Sequence, residues 1–249
     1  MSATRQELKI VRVAESVSPQ VEVQSNIRPQ AGYSAVWVFR VRRGWLRSNE
    51  QQRSLGRTDF EQAVLSAAPS VELRAAYSLK GLRPDADFIL WLLTDDLDRL
   101  QDLSLTLQST YLGLHTVLHQ VYLGVGGPSR YVDDHVPAFI QGQKPRAYAA
   151  FYPFAKTPEW YLLPYEQRRQ LMVEHGQLGK PFDIATNTVN AFGLGDDEFI
   201  VTLEADDPSE IVRCIEGLRL AEVRKYTARD TPIYLGRRKG LAQVLSDLG

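Results

Sequence analysis

Two stretches of this chain repeat each other: "DADFILWLLTDDLDRLQDLSLTLQ" (85–108) and "DDEFIVTLEADDPSEIVRCIEGLR" (196–219). Each runs from an acidic turn through an apolar strand to an Asp-Asp pair and an amphipathic helix. Asp95 and Asp96 match Asp206 and Asp207, which suit the orphan N–H groups and positive end of a helix. Two shorter blocks keep the same order at a nearly constant offset. They are "YSAVWVF" (33–39) with "YAAFYPF" (148–154), and "VYLG" (121–124) with "IYLG" (233–236). A duplicated unit constrains the fold more than any single motif, because both copies form the same elements in the same order.

Each copy reads strand, helix, strand, strand, helix, strand. That is the ferredoxin-like order of an α+β fold. The expected division is an N-terminal arm at 1–30, a first repeat at 31–124, an inter-repeat loop at 125–147 and a second repeat at 148–249. The loop is rich in glycine, proline and polar residues and is long for a compact protein, as functional loops often are.

Composition excludes several classes. A net charge of −1 offers no electrostatic case for a nucleic-acid or membrane-surface partner. The single cysteine, Cys214, leaves no internal disulfide and fits a reducing cytoplasm. No apolar run reaches membrane-spanning length, and the N-terminal residues lack the apolar core of a signal peptide.

The histidines are His115, His119, His135 and His175. His115 and His119 have the i, i+4 spacing of a helical metal pair, but the stretch "LGLHTVLHQVYLG" also reads as a strand. His175 closes the helical pattern "LPYEQRRQLMVEHGQLGK" (163–180), beside Leu171 and Met172. Gly176 follows it and would leave space above the ring. A lone histidine on an apolar helix face is by default a satisfied core residue, yet a neutral imidazole in an apolar pocket also suits a haem iron. The corresponding region of the first repeat, "RTDFEQAVLSAA" (57–68), has no histidine. One equipped half suggests one site per chain.

The segment "YPFAKTPEWYLLPYEQRRQLMVEHGQLGK" (152–180) resembles the chlorite dismutase superfamily. "NAFGLGDDEFIVTLEADDP", "LRLAEVRKYT" and "TPIYLG" follow in the family order. The resemblance implies two ferredoxin-like repeats forming a dimeric α+β barrel, often assembled as a homopentamer, with His175 as the proximal iron ligand. True chlorite dismutases place a distal arginine where this chain has Thr188, so chlorite chemistry is disfavoured. The closer resemblance is to coproheme decarboxylases, in the branch whose distal histidine comes from a "HVPAF" segment; here that residue is His135.

This implies a cytoplasmic, hydrogen-peroxide-dependent enzyme that converts iron coproporphyrin III to haem b, the porphyrin being both substrate and redox cofactor. His135 would move peroxide protons. Tyr152 would give up a hydrogen atom and then abstract one from a propionate β-carbon. Lys156 and Arg219 would pair with propionates, and Trp160 would border the pocket or carry radical character. The alternative is a haem b-binding peroxidase-like or chlorite-converting enzyme of the same fold. One departure weakens the transfer of propionate anchors: some relatives place a serine and an arginine in a "VSARY" stretch where this chain has "EVRKY" (222–226).

Overall fold

The computed structural model describes residues 32–131 and 136–249; the expected N-terminal arm and His135 lie outside them. The first half holds β1 (Tyr33–Val41), α1 (Glu50–Ser66), β2 (Glu72–Ser78), β3 (Phe88–Thr94), α2 (Leu97–Ser109), α3 (Tyr111–Leu114) and β4 (Thr116–Val125). The second holds β5 (Tyr148–Lys156), α4 (Pro158–Leu162), α5 (Tyr165–Gly179), β6 (Ala185–Asn190), β7 (Phe199–Ala205), α6 (Pro208–Leu218), β8 (Thr227–Arg229), β9 (Tyr234–Lys239) and α7 (Leu241–Ser246). A 3-10 turn at Glu222–Tyr226 follows α6.

The strands run β7-β6-β4-β1-β3-β2-β9-β5, and β5 pairs back onto β7. The sheet therefore closes into an eight-stranded antiparallel barrel, with β8 appended to the end of β5. Within each half the spatial order of the four main strands is fourth, first, third, second, as a ferredoxin-like unit requires. The repeat is kept down to register. Trp37 faces Leu90 across β1–β3, and Tyr152 faces Val201 across β5–β7, at matching positions. Asp96 and Asp207 cap α2 and α6 by accepting from backbone N–H groups of the first turn, as the two Asp-Asp pairs predict.

Side chains alternate across the barrel wall. Val36, Val38, Tyr77, Ile89, Trp91, Phe151, Val189 and Tyr234 fill its interior, so it is a packed core and not a channel. A buried ion pair closes one end. Glu204, fully buried, accepts from Arg74 Nη2 at 3.0 Å, Asn187 Nδ2 at 2.9 Å and the Arg146 N–H at 2.9 Å. Asn187 Oδ1 accepts from the Phe139 N–H at 2.8 Å, which ties the inter-repeat loop to β6. Glu204→Ala would strand the Arg74 guanidinium without its carboxylate. We expect a loss of about 3–5 kcal/mol, measured as a lower urea midpoint.

Candidate functional site

The two halves differ on their outer faces. In the first, Ala35, Trp37, Phe39, Phe88, Leu90 and Leu92 are all buried, sealed by Phe60 and Val64 of α1 and by α2 and α7. Each large ring there stabilises the fold by about 1.5–3 kcal/mol. In the second half the matching face is only part-covered. Tyr152, Val201, Ile184, Ile233 and Leu235 are half-buried around Ala150 and Leu203. The helix in the place of α1 is α5. It lies against α6 and the 3-10 turn and buries none of its side chains. An apolar face left half-open is a surface that a flat apolar molecule can complete.

Tyr152 stands on this face, where Trp37 stands in the first half. Thr188 faces Val201, and Val201 faces Tyr152, so the three form one cross-strand row on β6, β7 and β5. Burial pushes the Tyr152 phenol well above its usual pKa range; Cys214 and Asp230 add to the shift and Arg219 opposes it. Tyr152 therefore stays a neutral phenol.

Lys156 ends the same strand. It is 9% exposed, with Nζ 4.5 Å from the Trp160 ring centre and 5.0 Å from that of Phe154. Among the described residues no carboxylate lies within ion-pair range of it. Burial lowers its pKa to about 8, with Arg224 adding to the fall and Glu198 opposing it. A buried ammonium resting on rings is poised to receive an anion. The Glu198 carboxylate instead accepts the Lys156 backbone N–H at 2.6 Å and the Tyr161 hydroxyl at 2.5 Å, which fixes α4 against β5.

His175 is half-buried on α5. Helical spacing puts it between Leu171, Met172 and Leu178 on one stripe, and those three pack with Trp160, Ala221 and Val223. So the helix face that carries His175 meets the wall that carries Trp160 and Lys156. Gly176 is exposed, and apart from its chain neighbours a Cβ there would meet nothing within 4 Å. Gly179 is the glycine that ends the helix.

Arg219 caps α6 and pairs with Asp230, which also accepts from Arg224 Nη1 at 2.8 Å. Two guanidiniums on one carboxylate leave a net positive edge beside Tyr152. Arg224, Asp230 and Glu198 carried no recognisable signal in the sequence, apart from the anomalous "EVRKY". His115 packs on Trp45 and Tyr111, while His119 Nε2 lies 3.7 Å from Asp85. Among the described residues no group of three or more metal-ligating side chains forms.

Comparison with known proteins fits this geometry. The profile of the family described as chlorite dismutase matches residues 53–239, three quarters of the chain. The chain belongs to the chlorite dismutase family. A coproheme decarboxylase of Mycolicibacterium smegmatis is 36% identical over 181 residues, covering 72% of this chain and 78% of that one. A coproheme decarboxylase of Staphylococcus carnosus is 28% identical over 165 residues, covering 59% of this chain and 66% of that one. The structure of chlorite dismutase from Candidatus Nitrospira defluvii in complex with imidazole superposes with a TM-score of 0.80 at 22% identity, over 88% of this chain and 95% of that one. That likeness establishes the family barrel for this chain.

Proposed function

We propose that this chlorite dismutase family member is a hydrogen-peroxide-dependent coproheme decarboxylase, converting iron coproporphyrin III to haem b. The observation that carries the reading is the half-open outer face of the second half. It sets a buried cation, Lys156, with no ion-pair partner among the described residues, and a neutral phenol, Tyr152, on one strand four residues apart. A flat apolar ring bearing carboxylates matches that surface, and the 36% identical relative is a coproheme decarboxylase.

The residues fit the porphyrin. His175, on the inner stripe of α5, is the iron ligand in this reading. Lys156 takes one propionate, and the Arg219–Arg224–Asp230 cluster offers guanidinium N–H groups to another. The bound iron porphyrin supplies, with one peroxide per propionate, the two oxidising equivalents that each decarboxylation consumes. Tyr152 releases a hydrogen atom and recovers one from the propionate β-carbon. Loss of carbon dioxide then leaves a vinyl group, and the peroxide ends as two waters. His135 is the proposed proton carrier for peroxide. Trp160 borders the ring and holds Lys156 in place. Thr188, on the Tyr152 row, offers a hydroxyl where chlorite chemistry would need a guanidinium.

Two finer points belong to the same reading. The single, buried Cys214 suits the reducing cytoplasm, and the family resemblance suggests a homopentamer, which light scattering on the purified protein would test. No helix among the described residues is long and apolar enough to cross a membrane. The test of the ligand assignment is His175→Ala. We expect iron coproporphyrin to bind more weakly and its Soret band to shift; an unchanged spectrum would remove His175 from the iron.

A further inference from the structure

A second phenol beside the site is arranged for one-electron oxidation. Tyr161 follows Trp160 on α4, is 37% exposed, and donates its hydroxyl hydrogen to Glu198 Oε2 at 2.5 Å. The same oxygen accepts the Lys156 N–H at 2.6 Å, so the carboxylate is held in place and is not free to swing away. A phenol that loses an electron becomes a strong acid, and the loss is easy only where a base takes the proton at once. Among the described residues no carboxylate is hydrogen-bonded to the hydroxyl of Tyr165 or Tyr131. Tyr165 donates to the Arg130 carbonyl at 2.8 Å, and the Tyr131 hydroxyl faces the Arg168 guanidinium at 3.5 Å. Trp160 is the chain neighbour of Tyr161 on α4, and the Lys156 ammonium 4.5 Å from its ring disfavours positive charge there. Oxidation that reaches Trp160 therefore has reason to move on, toward the negative Glu198.

We propose that Tyr161, with Glu198 as its proton acceptor, is an exit for oxidising equivalents that are not spent on a propionate. An electron from Tyr161 refills oxidised Trp160, and the phenol proton passes to Glu198, leaving a Tyr161 phenoxyl and a neutral Glu198. A small external one-electron donor, such as ascorbate, then reduces the phenoxyl, which takes its proton back from Glu198. The path protects the barrel when peroxide arrives without a reactive propionate. The origin of the oxidant rests on the decarboxylase reading; the Tyr161–Glu198 pair does not.

Two arms separate these. In the first, porphyrin-free protein is oxidised by flash-generated tris(bipyridine)ruthenium(III) in the presence of a nitroso spin trap, and adducts are mapped on peptides. Tyr161 should be labelled ahead of the more exposed Tyr165. Glu198→Gln, which keeps the side chain's shape but is no base, should cut that labelling by about tenfold or more; Tyr161→Phe should abolish it. Equal labelling in Glu198→Gln protein, or preference for Tyr165, overturns the proposal. In the second arm the protein carries iron coproporphyrin and receives excess peroxide. Label on Tyr161, with faster porphyrin bleaching in Glu198→Gln, supports the exit path. Decarboxylation without label on Tyr161 overturns it. If the first arm labels Tyr161 but the loaded protein neither decarboxylates nor labels, the decarboxylase reading fails while the redox pair stands.

Discussion

Tyr152→Phe should bind iron coproporphyrin as the parent does and lose decarboxylation by at least ~10³-fold, a barrier increase of about 4 kcal/mol. The substitution removes one oxygen and leaves the ring in its row beside Val201. Packing on the sheet is preserved, so the Soret titration and the melting curve should both match the parent. Phenylalanine has no O–H hydrogen to give up, so the transfer from the propionate β-carbon has no acceptor on this strand. Because burial holds the Tyr152 pKa far above neutrality, the parent rate should show no limb from tyrosinate formation. Parent-rate turnover in the variant would show that the hydrogen acceptor lies elsewhere.

The second large effect belongs to Lys156, and it has two opposite signs. Lys156→Met should weaken binding of iron coproporphyrin by about 10- to 150-fold, the worth of a charge-assisted hydrogen bond of roughly 1.5–3 kcal/mol. It should also stabilise the empty protein, because methionine fills the same slot against Trp160 and Phe154 without a desolvated charge. The pH dependence follows from the pKa of about 8 in the folded state. The ammonium is present below that value, so parent affinity should fall as pH rises through 8, while the methionine variant stays flat. For the empty protein the unfolded chain holds the Lys156 proton up to a higher pH than the folded one. Parent stability should therefore rise, relative to Lys156→Met, between about pH 8 and the usual lysine range. Equal affinities at pH 7 would remove Lys156 from the propionate site.

What could be read from the sequence was periodic or duplicated. The Asp-Asp helix starts, the VYLG and IYLG strands and the matched registers of Trp37 and Tyr152 all follow from the repeat. The half-open face did not follow, because both halves have apolar strands and amphipathic helices. The difference lies in where α5 sits, against α6 and the 3-10 turn, and that is settled by tertiary packing. The charged partners were hidden for the same reason. Glu198 is 42 residues from Lys156 and 37 from Tyr161, and Asp230 meets Arg219 only through the turn after α6. A family resemblance names ligands residue by residue, but it does not show that Lys156 has no carboxylate in ion-pair range among the described residues.

The most direct test loads the purified protein with iron coproporphyrin, titrates it with hydrogen peroxide and follows the porphyrin by mass spectrometry. Two successive losses, each of one carboxyl group with its β-hydrogen and each needing about one peroxide, are the predicted result. A porphyrin that is only bleached, or that keeps all four propionates, would contradict the decarboxylase reading and leave the family barrel with a different oxidation to perform.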